Sequence, residues 1–340
     1  MKRLFSLILA FSILLCACTA PTPSTVDTTA LQVRFLDVGQ ADAALLQCGD
    51  ATMLIDGGNR EDSSLIVSVL KRLNIEKLDY LVCTHAHEDH VGGLAGALNV
   101  ASVDTVLTPV TEYDSSVFET FIQAAKQQNC EIQIPESGDT FALGAATVTV
   151  LGPTKEYEET NDTSIVLKVQ HGEVSFLFTG DMERTAEADL LDVWGEDALS
   201  ATVLKVGHHG SETSTSYPFL RAVNPTYGVI SVGKDNSYGH PHDEVLSRLQ
   251  DASVILYRTD LMGDIIATTD GKTLEFATDR SAPQTNTATV TDGTFIGNKK
   301  SKVFHLPSCG SLPAEQNRTL FTSRNEALDA GFHPCSNCAA

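Results

Sequence analysis

Seven consecutive residues, Thr84-His85-Ala86-His87-Glu88-Asp89-His90, carry the densest chemistry in the chain. His85, His87 and Asp89 alternate, so an extended loop turns their side chains to one side, and His90 follows at once. Imidazoles and a carboxylate gathered behind an apolar strand (Asp79 to Thr84, DYLVCT) suit Zn²⁺ or Mn²⁺. A lone histidine is usually a hydrogen-bonded core residue. Three histidines and an aspartate within six residues are not explained that way. A second ligand set lies near the end of the chain: His305 and Cys309, then Cys335 and Cys338 about 26 residues on. Cys₃His is a closed structural zinc set. A unit of only about 45 residues needs such a staple to fold. A Cys335–Cys338 disulfide is the competing arrangement, and Cys335 cannot do both.

Further candidates are single residues. His240 and His242 sit in a Gly/Pro loop, Tyr238-Gly239-His240-Pro241-His242. Such a loop can present an imidazole to a phosphate or a leaving oxygen, or it is an exposed turn. Asn236 and Ser211 are candidates for phosphate contacts. Asp37 and Asp56, at strand ends, read as fold or supporting groups, and Asp56 can orient a metal-bound histidine. Cys48 and Cys83 lie in apolar strands and read as buried hydrophobes.

These residues must be positioned by the elements around them. Residues 31–56 contain three short apolar runs broken by Gly and Asp, the pattern of strands. Ser63 to Leu73 has its apolar residues at helical spacing. Helices are also expected over 117–128, 183–193, 217–223 and 243–249. Strands are expected over 146–151, 164–169, 174–179, 202–206, 227–232, 254–257, 264–268 and 273–276. Strand groups separated by helices, with no G-x-G-x-x-G after the first strand, predict a layered α/β fold that is not of the dinucleotide-binding kind.

Composition bounds the function. The 340 residues carry 23 Lys+Arg against 44 Asp+Glu, a formal net charge of −21, with 42% hydrophobic and 20% charged residues. That is a globular composition of one large domain with extras, or of two domains. No apolar run reaches about 18 residues, which excludes a polytopic membrane protein. The charge argues against a broad basic surface for nucleic acid. Residues 295–340 differ: they hold five basic and three acidic groups, so the acidity belongs to residues 31–280.

The first residues read as an address. Lys2 and Arg3 precede the apolar run Leu4 to Leu15. Leu15-Cys16-Ala17-Cys18 then resembles a bacterial lipobox. The resemblance implies a signal peptide over 1–17, lipidation of Cys18 and a Pro/Thr tether over 18–30. The mature protein would be secreted and lipid-anchored to the outer face of the cytoplasmic membrane, touching the membrane through that lipid only. An ordinary secretion signal is the alternative.

His-x-His-x-Asp-His after a hydrophobic strand resembles the metallo-β-lactamase family over residues 31–278. The resemblance implies an α/β fold, a four-layer αββα sandwich with metals at the strand edges. It implies that His85 and His87 hold one ion and that Asp89 and His90 hold the other. Phe178-Thr179-Gly180-Asp181 supplies the bridging carboxylate, Asp181. Leu204-Lys205-Val206-Gly207-His208-His209-Gly210-Ser211 supplies a last histidine, His208, with His209 the less favoured choice. LKVGHHGS, SVGKDNSYGHPH and RTDLMGDI resemble more closely the soluble domain of ComEC-type DNA-uptake proteins, and also phosphorylcholine esterases. The wider family has another histidine before the bridging Asp. Here the matching region is Asn161-Asp162-Thr163-Ser164, and His171 sits in a polar hairpin. Asn161 is then a candidate contact, and with fewer nitrogen ligands Mn²⁺ is admitted beside Zn²⁺.

Two divalent ions about 3.5–4 Å apart would clamp a bridging hydroxide for attack on phosphorus. Asp89 and His240 are the candidates for catalysis. The expected function is an extracytoplasmic metal-dependent hydrolase, a phosphodiesterase or nuclease acting on a phosphodiester, DNA among the options. The alternatives are hydrolysis of a wall-polymer phosphodiester or phosphorylcholine ester, and a non-catalytic DNA- or wall-binding lipoprotein. After a linker over 279–294, residues 295–340 resemble the zinc-binding domain of Ada-type repair proteins. One structural Zn held by His305, Cys309, Cys335 and Cys338 is implied there. Methyl transfer is not, because His305 stands at the acceptor position. Oligomeric state is left open.

Overall fold

Leu31, Val33 and Phe35 alternate with Gln32 and Arg34, and the segment folds as β1 (Leu31–Phe35) with its odd residues buried. In the computed structural model residues 29–280 and 295–335 are described, except 308, 310, 311, 323–325, 328 and 329. The leader, Cys18, nearly all of the tether, most of the linker and Cys338 lie outside the described residues.

After β1 come β2 (Ala44–Cys48), β3 (Ala51–Ile55), β4 (Lys77–Val82), β5 (Ser102–Leu107) and β6 (Glu131–Gln133). Next are β7 (Thr140–Leu143), β8 (Ala146–Gly152), β9 (Val166–His171), β10 (Val174–Phe178), β11 (Val203–Lys205), β12 (Tyr227–Ile230) and β13 (Ile255–Arg258). β14 (Ile265–Thr269) and β15 (Leu274–Thr278) complete this region. One sheet has eight strands in the order β15-β14-β1-β2-β3-β4-β5-β6, and the other seven, in the order β13-β12-β11-β10-β9-β8-β7. Pairing turns parallel from β3 to β6 in the first sheet and from β10 to β13 in the second. Parallel strands are buried on both faces, which is why VSFLF in β10 is buried throughout.

The helices are α1 (Ser63–Arg72), α2 (Glu88–Val91), α3 (Leu94–Leu98), α4 (Ser116–Gln128), α5 (Arg184–Leu199), α6 (Tyr217–Val223), α7 (Asp243–Asp251) and α8 (Thr259–Met262). α5 is interrupted at Gly195, whose φ of 68° is not helical. Three apolar cores separate four layers. Val33, Phe35, Leu46, Phe176 and Phe178 meet between the sheets. Leu45 and Leu54 on the other face of the first sheet meet Ile66, Leu70, Phe118 and Phe121 of α1 and α4. Leu177 and Leu204 on the outer face of the second meet Leu190, Phe219 and Leu249 of α5, α6 and α7. Burying each such side chain contributes about 1.5–3 kcal/mol. The arrangement is the αββα sandwich expected from the sequence.

The C-terminal residues form a separate small sheet of β16 (Phe295–Asn298), β17 (Val303–His305), β18 (Arg318–Phe321) and β19 (His333–Pro334), in the order β18-β16-β17-β19. Its core is Phe295, Phe304, Phe321, Ala327 and Phe332 together with Cys309 and Cys335. Among the described residues no helix is long and apolar enough to cross a membrane.

Candidate metal centre

The two sheets send the carboxyl ends of parallel strands to one edge, where open α/β sheets bind ligands. β3 runs into Asp56, β4 into Thr84-His85, β10 into Gly180-Asp181, β11 into His208-His209 and β12 into Ser231. Gly93 lets the histidine-rich loop settle onto the loop after β3: a Cβ there would lie 2.1 Å from Gly57 O. Gly57 N–H in turn donates to His90 O at 2.7 Å.

His85 Nε2 and His87 Nδ1 converge to 3.1 Å. His90 Nε2 faces Asp181 Oδ1 at 3.2 Å. His209 Nε2 lies 3.3 Å from Asp89 Oδ2 and 3.6 Å from Asp181 Oδ2. Ligand atoms of Asp89, His90, Asp181 and His209 all fall within 4.8 Å of one another. His90 Nε2 and Asp181 Oδ1 are buried and, although 3.2 Å apart, are not aligned for a hydrogen bond with each other and have no other partner among the described residues. Leaving such atoms unsatisfied costs about 1–3 kcal/mol each. A divalent cation between them removes that cost, so the residues present fit a metal. Asp89, His90, Asp181 and His209 offer a four-residue ligand set, and the converged His85 and His87 present two more ligand nitrogens next to His90.

The last-histidine position divides between two neighbours, and both reach Asp181 Oδ2 at 3.6 Å. His209 is buried, its Nδ1 held at 3.0 Å by the Ser231 carbonyl, which turns Nε2 into the cluster. His208, favoured from the sequence, also approaches, with Nε2 3.6 Å from Asp181 Oδ2. Its Nδ1 is turned to Glu183 Oε1 at 3.2 Å, and it stays partly exposed. Both residues have left-handed backbone, φ 49° and 52°, and both rings approach Asp181.

Charge within the cluster is balanced internally. Burial alone pushes the Asp181 carboxyl up, but the imidazoles of His90, His209 and His85 hold it well below the usual range. Burial likewise opposes ionisation of Asp89, and His90 and His209 lower it. Burial lowers His90, yet Asp181, Asp56 and Asp89 raise it well above an ordinary imidazole. His85 is pushed well down by burial and by His90.

Supporting groups surround the ligands. Asp56 Oδ2 accepts from His90 Nδ1 at 2.8 Å and from the Thr84 hydroxyl at 2.8 Å. Asp37 does not take part: its carboxylate pairs with Arg280. Asn161 donates to Glu183 Oε1 at 3.2 Å, and its Oδ1 is buried without a partner among the described residues. Ser211 is buried, its hydroxyl 2.9 Å from that of Thr213. Asn236 uses its whole amide inside its own loop. It donates to Gly233 O and His240 O at 3.0 and 2.6 Å and accepts from Tyr238 and His240 N–H at 3.1 and 3.0 Å. It shapes the loop, and no donor is left for a phosphate. His242 is also structural, its Nδ1 accepting from Glu212 N–H at 2.9 Å.

His240 faces the centre, its ring 5.6 Å from that of His208. Gln40 Oε1 accepts from Gly233 N–H, so the Gln40 amide nitrogen is the group 3.3 Å from His240 Nδ1. Nδ1 therefore accepts, and the ring proton sits on Nε2. Burial and the neighbouring imidazoles push His240 down to about 4, so it is neutral at pH 7. Tyr238 stacks over it at 5.6 Å and is 67% exposed. Sequence reasoning missed Glu183, Gln40, Asp42 and Lys205. A lone lysine inside the apolar run VLKV was the available signal for a buried, partnered charge.

In the C-terminal unit, ligand atoms of buried His305, Cys309 and Cys335 lie within 4.8 Å of one another, with His305 Nδ1 3.4 Å from Cys309 Sγ. The chemistry of that set fits zinc. The fourth expected ligand, Cys338, is outside the described residues.

Comparison with known proteins agrees with this geometry. Residues 280–340 match the family described as the metal binding domain of Ada. ComE operon protein 3 of Bacillus subtilis (strain 168) is 32% identical over 253 residues, 69% of this chain and 32% of that protein. Competence protein ComA of Neisseria gonorrhoeae is 30% identical over 243 residues, 71% of this chain and 33% of that one. The chain thus spans about a third of the length of the curated relatives it matches. The metallo-beta-lactamase fold protein YhfI from Bacillus subtilis aligns with 73% of this chain and 100% of its own, at 12% identity and a TM-score of 0.48. Residues 36–234 match the family model of the metallo-beta-lactamase superfamily. With that match laid over the converging histidines and aspartates of the four-layer frame, the chain belongs to the metallo-beta-lactamase superfamily.

Proposed function

We propose that the chain is a metal-dependent phosphodiesterase working outside the cytoplasmic membrane. The observation that carries this reading is the cluster of Asp89, His90, Asp181 and His209, whose buried atoms His90 Nε2 and Asp181 Oδ1 make no aligned hydrogen bond, with His85 next to His90 and a half-buried His240 next to His209. Two divalent ions, Zn²⁺ or Mn²⁺, would supply Lewis acidity and an activated water when bound there. The chain's own residues supply the rest. Asp89 and Asp181 bring the negative charge that retains the cations. Asp56 and the Ser231 carbonyl fix which nitrogen of His90 and His209 faces inward. His240, neutral with its proton on Nε2, donates a hydrogen bond to a phosphate or leaving-group oxygen. Asn236 and Gln40 hold it in place.

The relatives named for competence favour DNA or another phosphodiester as substrate. The net charge of −21 disfavours a long duplex polyanion and favours short or single-stranded substrates. The same charge favours, as a second reading, a zwitterionic phosphorylcholine ester. Cleavage of single-stranded DNA, duplex DNA and a phosphorylcholine ester by one preparation separates these readings. Preference for the choline ester would move the assignment to the second.

Lipidation of Cys18 would place the enzyme on the outer face of the membrane, with the zinc module helping to hold substrate or wall. Mass spectrometry of the membrane fraction tests this. An unmodified Cys18 still joined to residues 1–17 contradicts the placement.

A further inference from the structure

Lys205 lies in β11 of the second sheet, directly before the turn that carries His208 and His209, and is only 5% exposed. Its ammonium reaches across to the first sheet's Asp42, in the loop between β1 and β2, at 2.8 Å. A second hydrogen bond goes to Val206 O at 3.0 Å. Asp42 is tied in turn to the other half of the metal centre. Its N–H donates to the carbonyl of Asp89 at 3.0 Å, and its carbonyl accepts from Gly58 N–H at 2.8 Å. The pair therefore joins the loops that carry His85, His87, Asp89 and His90 to the strand that carries His208 and His209.

Beside the pair is a small cell lined by Asp42, Asp56, Thr84, Gly180, Lys205 and Ser231 among others. It has about 10 Å³ of room for the centre of a water-sized sphere, the space of one water. Two buried polar atoms on its lining residues, Asp42 Oδ1 and Ser231 Oγ, have no hydrogen-bond partner among the described residues. Asp42 Oδ1 is also 3.9 Å from His209 Nδ1. A cation in the cell would sit against the Lys205 ammonium, which already offsets Asp42. A water needs two to four polar partners, and Asp42 Oδ1 and Ser231 Oγ are the unengaged atoms it would take.

We propose that the buried Asp42–Lys205 pair, with one ordered water bridging Asp42 and Ser231, is the tie that sets the two halves of the metal centre against each other. Stability alone does not account for it, because buried ion pairs are often replaced by apolar groups without loss. Lys205 and Asp42 are positioning residues.

The test uses the full chain and Mn²⁺ titration, so it is independent of any substrate. Lys205→Met alone leaves Asp42 buried and unpaired, and its melting temperature falls sharply. The double variant Asp42→Leu/Lys205→Met regains most of the melting temperature. Its Mn²⁺ affinity is expected to stay at least 10-fold weaker than the parent's. Parent-like affinity and stoichiometry in the double variant would overturn the proposal, because the pair would then serve folding only. Ser231→Ala removes a partner of the water without touching charge, and it decides the matter if the double variant does not fold. It is expected to melt as the parent does and to bind Mn²⁺ several-fold more weakly. Unchanged affinity in Ser231→Ala, or an empty cell at atomic resolution, contradicts the tie.

Discussion

Asp56 Oδ2 stands 2.8 Å from His90 Nδ1, with both side chains buried at the heart of the centre. This contact fixes the imidazole so that Nε2 faces Asp181. Asp56 has left-handed backbone, φ 59°, which asparagine also tolerates. Asp56→Asn is therefore expected to fold and to lose about 10- to 100-fold in metal affinity, as outer partners of ligating histidines usually do. Calorimetric titration of the metal-free variant checks this. Unaltered affinity would mean that His90 is held by packing alone.

His208 and His209 make separable contributions. His209→Ala removes a buried ligand nitrogen that faces both Asp89 and Asp181. It is expected to lose bound metal and at least 100-fold in kcat. His208→Ala removes a partly exposed ring paired with Glu183, and it should retain more metal than His209→Ala. Metal analysis of the two purified variants measures the order, and the reverse order would restore His208 as the principal ligand.

Tyr238 is exposed beside the centre and stacked on His240. Stacking of one base on an aromatic ring contributes about 1–3 kcal/mol. If the substrate carries bases, Tyr238→Ala should raise KM for a single-stranded oligonucleotide roughly 5- to 150-fold. It should leave KM for an abasic oligonucleotide nearly unchanged, and Tyr238→Phe should behave as the parent. Equal effects on both substrates would remove Tyr238 from substrate recognition.

The small C-terminal sheet has a core of few side chains and a three-ligand cluster inside it. Cys309→Ser is expected to remove one zinc per chain and to expose residues 295–340 to protease. The metal content of the larger domain should stay intact. Retention of that zinc would mean that Cys309 is not a ligand.

Much of the centre is legible in sequence because its ligands come in short strings. His85 and His87 lie in a loop and Asp89 and His90 in the short helix α2, so close spacing gathers them, while extended alternation covers only His85 and His87. Asp181 and the His208-His209 pair become visible through family resemblance. The tertiary partners do not. Asp42 and Lys205 are far apart in sequence and meet only when the sheets stack, so no local pattern marks them. Asn236 and Ser211 look like phosphate contacts as isolated polar residues, and only the loop's closed hydrogen bonding shows that their groups are engaged. α3 and β5 were not expected at all. LAGAL is too short and too uniformly small to show a period, and SVDTVL places Asp and Thr in a parallel strand. α5 runs past its expected end because helical geometry resumes after the break at Gly195.

The central claim is metal-dependent phosphodiester hydrolysis at the cluster built on Asp89, His90, Asp181 and His209. The most direct measurement is turnover of a small chromogenic phosphodiester by the purified chain, with Mn²⁺ or Zn²⁺ added, beside Asp89→Ala and a chelated sample. The account predicts turnover that disappears on chelation and falls at least 100-fold in Asp89→Ala. Bound metal with no turnover, or equal turnover in Asp89→Ala, would contradict it.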